Sequence, residues 1–352
     1  FKVNIKSLSL NQYQLAGSSF INEFKNILIT FTSATAVISG DLTLGMMLAI
    51  QYIIGQLNSP IEQLISFIQS TQDAKISLER LNEIHSEPDE DEDGMKYVNA
   101  LPSSKNIRTE NLNVRYGDSS SPLVLNDVYI EIRESHKTAI VGGSGSGKTT
   151  LIKVLLKFMQ SSSGKIKIGD VPINSFSNQF WRNQCGAVLQ EGYIFSTTIA
   201  KNISLGSDVV EIDKLNKALE VACIKDFVDS LPLSFNTKIG EEGLGLSQGQ
   251  RQRILLARAV YQDPEYLFFD EATNALDSKN ENLIMNNIDK YFKNKTFIVI
   301  AHRLSTIKNA DQIIVLEKGF VVETGTHDEL LALGGYYFDL VQNQILMEKT
   351  DA

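Results

Sequence analysis

The segment Gly142-Gly143-Ser144-Gly145-Ser146-Gly147-Lys148-Thr149-Thr150 constrains this chain more than any other part of it. It fits the spacing G-x-x-x-x-G-K-[ST], follows an apolar run at 138–141 and opens a helix-like run at 149–159. Glycines at these positions let successive backbone N–H groups turn towards one anion. The start of the following helix adds a partial positive charge at the same place. Lys148 is then suited to the β- and γ-phosphates of a nucleotide, the Thr149 hydroxyl to Mg²⁺, and Thr150 to a neighbouring phosphate oxygen. A loop of this kind needs a strand behind it and a helix in front, which commits the surrounding residues to an α/β architecture.

A phosphate loop also needs a carboxylate on the metal side. Tyr266-Leu267-Phe268-Phe269-Asp270-Glu271 supplies one. Four apolar residues in a row read as a strand buried on both faces, and Asp270 falls at its carboxyl end, where open α/β sheets bind ligands. Asp270 is placed to hold Mg²⁺ through water, and Glu271 to polarise an attacking water. Between these motifs lies Leu246-Ser247-Gln248-Gly249-Gln250-Arg251-Gln252-Arg253. Ser247 is a fair N-cap for a helix that is apolar through Ile254, Leu255 and Ala257. Its start is a second anion-binding helix end, with no second glycine loop in the chain to use it.

From residue 107 onwards strand-like runs (107–116, 124–132, 138–141, 165–168, 186–189, 266–269, 296–300, 312–316 and 320–323) alternate with helix-like runs (149–159, 211–221, 248–261, 279–291 and 336–347). Ahead of them the pattern differs. Residues 20–40 and 42–57 are apolar with frequent small residues, and Gly40-Asp41 between them suits a tight turn. Neither stretch holds the ~20 clean apolar residues that span a bilayer, so a membrane hairpin and a buried soluble hairpin both remain open. Residues 60–84 show helical apolar spacing at Ile61, Leu64, Ile65, Ile68, Ala74, Leu78 and Leu81. The acidic run at 87–93 reads as a solvated linker. The expected domains are therefore 1–86, a linker at 87–104, an α/β domain at 105–347 and a tail at 348–352. The chain opens on Phe1 in mid-pattern, and the expectation is a piece of a longer protein. With 42 acidic against 33 basic residues, the net charge of −9 argues against nucleic acid as a partner. Cys185 and Cys223, the two cysteines, have no metal-ligand spacing.

The glycine loop, Leu246–Gln250 and Phe268-Phe269-Asp270-Glu271-Ala272-Thr273 together resemble the nucleotide-binding domain of ATP-binding cassette (ABC) transporters. The resemblance implies an α/β P-loop NTPase fold, an ABC ATPase domain with an α-helical subdomain, preceded by an all-α transmembrane fragment. It implies ATP and Mg²⁺ as ligands, bound by Gly142, Gly143, Ser144, Gly145, Ser146, Gly147, Lys148, Thr149 and Thr150. Ser247 and Gly249 would contact the γ-phosphate held by a second copy of the chain, with Gln248 and Gln250 in the same nucleotide-binding segment and Gln248 standing where the family usually has Gly. Tyr116 matches the aromatic that stacks on adenine, and Gln190 the glutamine that reaches Mg²⁺ and the attacking water. Asn274-Ala275-Leu276-Asp277 matches the loop that crosses to the partner, with Asn for the commoner Ser. His302 matches the histidine on the γ-phosphate, so that Glu271, His302 and Gln190 form the expected catalytic set, and Thr149, Gln190 and Asp270 the expected metal set.

Thr237–Gly243 resembles a segment typical of ABC exporters, and an apolar hairpin on the same chain as the cassette is also exporter-like. Residues 44–61 and 77–81 are similar to peptidase-containing exporters of peptides with a double-glycine leader, such as bacteriocins. The implied function is ATP-driven export of a peptide by a head-to-tail homodimer in the cytoplasmic membrane. The apolar hairpin would contact lipid and the cassette would lie in the cytosol. An exporter of lipid or drug, and a soluble cassette ATPase acting on nucleic acid or ribosomes, stand as alternatives.

Overall fold

The computed structural model describes residues 2–86, 89–91, 96–118, 120–190, 192–205, 207, 209–241, 243–270, 278–301 and 304–350. They form two units, Phe1–Asp89 and Glu90–Ala352.

The first unit is a helical hairpin, Lys2–Ile38 and Leu44–His85. Gly40 takes a left-handed backbone (φ 87°) at the turn, and the Thr43 hydroxyl caps the second helix by accepting from the Met46 N–H. Across the hairpin Lys25 Nζ donates to Asn58 Oδ1 at 2.6 Å. The amphipathic stretch expected at 60–84 is not a separate element, because the second helix runs straight through Pro60. Phe20, Phe31, Tyr52 and Leu64 lie exposed along the two helices. Among the described residues, no helix is long and apolar enough to cross a membrane.

Among the described residues, the second unit is built on ten strands: β1 (Ile107–Arg115), β2 (Leu123–Ile132), β3 (Lys137–Gly142), β4 (Ser163–Ile168), β5 (Val171–Pro172), β6 (Cys185–Val188), β7 (Tyr266–Asp270), β8 (Thr296–Ile300), β9 (Gln312–Glu317) and β10 (Phe320–Gly325). A four-stranded antiparallel sheet runs in the order β2-β1-β4-β5. A six-stranded sheet runs β10-β9-β3-β8-β7-β6, parallel throughout except for the β10–β9 pair.

Every residue of β7 and β8 is buried, as a strand with both faces covered requires. The period of two then sorts their side chains into separate cores. Ala139, Val141, Leu267, Phe269, Phe297 and Val299 face one core, which is closed by the helices Ile212–Val221 and Gln248–Tyr261. Ile140, Tyr266, Phe268, Ile298 and Ile300 face the other, shared with the antiparallel sheet and the helix Lys148–Leu155.

Trp181 anchors the approach to β6. It is fully buried, donates from Nε1 to the Leu155 carbonyl at 2.8 Å and lies 5.1 Å from the Tyr266 ring. Two acids of the 87–93 run dock on the same short helix, Asn178–Asn183. Glu90 accepts both terminal nitrogens of Arg182, at 2.5 and 2.9 Å, and Asp91 Oδ1 accepts the Asn178 backbone N–H at 2.7 Å. Arg182 also donates to the Lys157 carbonyl at 3.1 Å. Glu90 and Asp91 therefore tie the end of the helix that starts at Lys148 to the helix that leads into β6.

Candidate nucleotide site

The phosphate loop leaves the carboxyl end of β3, in the middle of the parallel sheet. Two of its glycines are required by the backbone. At Gly142 an added Cβ would run into the Leu316 carbonyl oxygen of β9. Gly147, the N-cap of the helix Lys148–Leu155, has φ 102°, and a Cβ there would meet Leu125 Cδ2 at 2.7 Å. Ser144 and Gly145 are exposed at the tip, whereas Ser146, Lys148 and Thr150 are buried. Lys148 Nζ donates to the carbonyls of Gly142 and Gly143, both at 2.9 Å. The cation is thus held across the mouth of its own loop, within one side chain's swing of an anion placed there. Thr149 is partly exposed beside it.

The register of the sheet brings the metal-side carboxylate into line. Ile140 of β3 and Asp270 of β7 both pair with Ile300 of β8. Asp270 therefore lies two strands from the base of the loop, about 10 Å across the sheet. It is 1 % exposed, a position tolerated by a carboxylate that is paired or meets a cation. Val188 of β6 pairs with Phe269, and Gln190, two residues on, is exposed beyond the same sheet edge. Tyr116 joins from the antiparallel sheet: its hydroxyl lies 3.1 Å from Thr150 Oγ1, and half of the residue is exposed. Contact with the loop through the hydroxyl leaves the ring face open to stack on a base.

The donor set suits Mg²⁺. Thr149, Asp270 and Gln190 offer a hydroxyl, a carboxylate and an amide oxygen, all hard ligands. Among the described residues no cluster of three His, Cys, Asp or Glu could hold a metal by itself.

Ser247 to Gln250 open a different helix. Ser247 caps Gln248–Tyr261 through a capping box: its hydroxyl accepts the Gln250 N–H at 3.2 Å, and Gln250 Oε1 accepts the Ser247 N–H at 2.9 Å. Ser247 and Gln248 are exposed, and Gly249 and Gln250 are partly so. The buried face of this helix, Ile254 to Ala257, belongs to the core on one side of the six-stranded sheet. The helix that follows the phosphate loop belongs to the core on the other side.

Thus the structure gathers Gly142–Thr150, Asp270, Gln190 and Tyr116 around one sheet edge, and mounts Ser247–Gln250 separately. Glu271, Asp277 and His302, and Asn274 with them, lie outside the described residues. Cys185 and Cys223 both have thiols held above the ordinary range, burial being the first cause for each. One residue at the loop has no sequence signal that could have found it. Tyr336 opens the last helix, and its hydroxyl would lie 3.4 Å from a methyl placed on Gly143.

Residues 125–274 match the family model described as ABC transporter. The alpha-hemolysin translocation ATP-binding protein HlyB of Escherichia coli O157:H7 is 39 % identical over 333 residues, 94 % of this chain and 46 % of that protein. The toxin RTX-I translocation ATP-binding protein of Actinobacillus pleuropneumoniae is 40 % identical over 330 residues, 93 % of this chain and 46 % of that one. The leukotoxin translocation ATP-binding protein LktB of Mannheimia haemolytica is 40 % identical over 331 residues, with 94 % and 46 % covered. Among solved structures, a bacterial Atm1-family ABC exporter with ATP bound superposes with a TM-score of 0.73 at 29 % identity, over 93 % of this chain and 58 % of that chain. The chain spans about half the length of the curated relatives it matches, 46 % in each of these three.

Proposed function

We propose, since this chain carries an ABC transporter ATPase domain homologous to HlyB-type translocation ATP-binding proteins and to Atm1-family exporters, that two copies of it bind ATP between them. Hydrolysis of that ATP then drives export of a toxin or peptide. The observation that carries this reading is the placement of two anion-binding helix starts on opposite faces of one sheet. The phosphate loop carries Lys148, and Asp270 and Gln190 follow β7 and β6 of the same sheet, two and three strands from β3. The Ser247 cap is exposed and belongs to a helix on the other side of the sheet, which supports a role towards a second molecule.

In this mechanism Lys148 exchanges the Gly142 and Gly143 carbonyls for phosphate oxygens as ATP enters. Tyr116 stacks on the base while its hydroxyl holds Thr150. Thr149, Asp270 and Gln190 would hold Mg²⁺, which supplies charge neutralisation on the phosphates when bound. Ser247 and Gly249 of the second copy close on the γ-phosphate, with Gln248 and Gln250 beside them. Gln190 orients the attacking water and Glu271 takes its proton. The new bond forms between water oxygen and γ-phosphorus, the bond to the β-γ bridging oxygen breaks, and ADP leaves with that electron pair. The resemblance to the family assigns His302 to the γ-phosphate and Asp277 to the loop that crosses to the partner.

The relatives named for alpha-hemolysin, RTX-I toxin and leukotoxin translocation support a secreted cargo of that kind. A peptide with a double-glycine leader is the narrower proposal. The cytoplasmic membrane is the proposed location, with the hairpin Phe1–Asp89 in contact with lipid and other helices, and the cassette in the cytosol. The Atm1-family exporter match over nearly the whole chain supports this.

The test is steady-state ATP hydrolysis against chain concentration in detergent. The reading expects Mg²⁺-dependent turnover whose rate per chain rises with concentration, as a site shared by two copies requires. Turnover that is independent of concentration down to the nanomolar range, with the chain monomeric, overturns the two-copy site.

A further inference from the structure

We infer that Arg258 is a positioning residue for Gln190, which sets the rate of ATP hydrolysis rather than the affinity for ATP. This rests on the nucleotide-site reading above. Arg258 lies near the end of the helix Gln248–Tyr261, and all three of its guanidinium nitrogens are engaged.

Nε donates to the Asn202 carbonyl at 2.8 Å, Nη1 to the Tyr193 carbonyl at 3.0 Å and Nη2 to Asn202 Oδ1 at 3.2 Å. Among the described residues no carboxylate acts on it. Burial alone lowers its pKa, and a guanidinium stays charged in a protein. A planar fork on three neutral oxygens fixes direction as well as distance, which an ammonium could not do.

What the fork holds is the segment that follows Gln190. Asn202 is fully buried and clasps Phe195 by both backbone groups. Its Oδ1 accepts the Phe195 N–H at 2.9 Å, and its Nδ2 donates to the Phe195 carbonyl at 3.0 Å. Arg258 thus orients the amide that orients Phe195. The guanidinium carbon also lies 5.7 Å from the Phe195 ring, which meets the Tyr193 ring edge to face at 5.0 Å. Gly192 packs directly on Leu255, one turn earlier on the same helix, where an added Cβ would have no room.

Gln190 stands between this grip and the sheet. Val188 pairs with Phe269 of β7 on one side, and Arg258 holds Tyr193 on the other. Three residues of chain reach at most about 10 Å, so the place of Gln190 is set from both ends. Residues 192–195 have no helix or strand of their own, so side chains do what a ladder does elsewhere. The run that leads into Ser247 is fastened to the same segment. The Ile199 N–H donates to the Thr237 carbonyl at 3.0 Å, and the Ile239 N–H to the Thr197 carbonyl at 2.9 Å. The partners of Arg258 are Tyr193, Asn202 and Phe195, none of them in the loop 142–150. Loss of the fork should therefore spare phosphate affinity and spoil the aim of Gln190 at the attacking water.

The experiment uses the full chain with Arg258→Met, which keeps the stem without donors, and Arg258→Lys, which keeps the charge without the fork. Without nucleotide, hydrogen exchange at the Phe195 amide should rise about 10- to 100-fold in Arg258→Met and less in Arg258→Lys, the range for bonds from a charged donor. The Leu151 amide, which donates to the Gly147 carbonyl, should keep its rate. With Mg-ATP, kcat should fall about 10- to 100-fold in Arg258→Met and less in Arg258→Lys, with Kd within about threefold. In a Gln190→Ala background Arg258→Lys should lower kcat by less than about twofold more, because a residue acting through Gln190 has nothing left to act on. Unchanged Phe195 exchange overturns the inference, as does raised exchange at the parent kcat or a full further fall in the Gln190→Ala background. Loss of kcat and affinity together, in step with melting temperature, confines Arg258 to stability and overturns it too. If Arg258→Met does not fold, the same comparisons are read from Arg258→Lys. A parent chain that binds ATP without hydrolysing it removes the functional reading, and Phe195 exchange then decides the grip by itself.

Discussion

Lys148→Ala is the perturbation for which the structure gives the clearest magnitude. Lys148 is 7 % exposed and donates two hydrogen bonds to loop carbonyls, at 2.9 Å each. Hydrogen bonds from a charged donor contribute about 1.5–3 kcal/mol each. ATP binding does not add this in full, because the ammonium gives up the two carbonyls as it takes phosphate oxygens. The gain is the difference between a charge–charge and a charge–dipole contact at similar distance, about 2–3 kcal/mol for a site with an effective dielectric near 20. Lys148→Ala should therefore weaken Mg-ATP binding about 30- to 150-fold. Titration calorimetry on the full chain reads this directly, and thermal unfolding without nucleotide checks that the fold survives. The two carbonyls border an open loop, where water replaces the lost donor, so the melting temperature should move little. A Kd within threefold of the parent chain refutes the role given to Lys148. An unfolded variant refutes the view that its resting bonds are replaceable.

Other consequences are quicker to state. Trp181→Ala leaves a cavity against Tyr266 and Phe176 and loses the bond to Leu155. Urea unfolding should show about 3–5 kcal/mol of destabilisation. The Glu90 carboxyl is held below its ordinary value, first by its hydrogen bond from Arg182. A lowered folded-state value contributes stability that is present above the unfolded value of about 4.3 and is lost as pH falls through the folded one. Urea midpoints from pH 6 to pH 3 should thus fall more steeply in the parent than in Glu90→Gln, and equal slopes would remove Glu90 from the acid limb. Ser247→Ala loses the cap on Gln248–Tyr261, about 1 kcal/mol. Turnover should fall more than tenfold beyond that small loss, and equal small changes in both would confine Ser247 to capping.

The site was legible wherever chemistry forces adjacent residues. Gly142–Thr150 must be contiguous to wrap one phosphate chain, and Asp270 must end a buried run, so both stand out in the one-dimensional pattern. The helix Gln248–Tyr261 was legible from its cap to its last residue because Ser247 and the apolar spacing agree. The helix after the loop is shorter than its apolar pattern suggests. It stops at Leu155, because Lys157 takes a left-handed backbone (φ 56°) and carries Nζ to the Phe176 carbonyl. Sequence order also hides sheet order: β8, near the end of the chain, lies between β3 and β7 and sets the spacing of the two motifs. The short helices Asn178–Asn183 and Ile199–Ile203 carry too few residues to show a period. Glu90 and Asp91 read as solvated charge because nothing local reveals that Arg182 and the Asn178 N–H await them.

The central claim is that one ATP is held by the loop of one copy and the Ser247 cap of another. Sedimentation of full-length Glu271→Gln in detergent, with and without saturating Mg-ATP, tests it most directly. With the proton acceptor removed and binding groups intact, the account predicts a stable dimer with two ATP bound, which separates when nucleotide is withdrawn, and turnover near zero. A monomer that binds ATP at full stoichiometry, or hydrolysis at the parent rate, contradicts it.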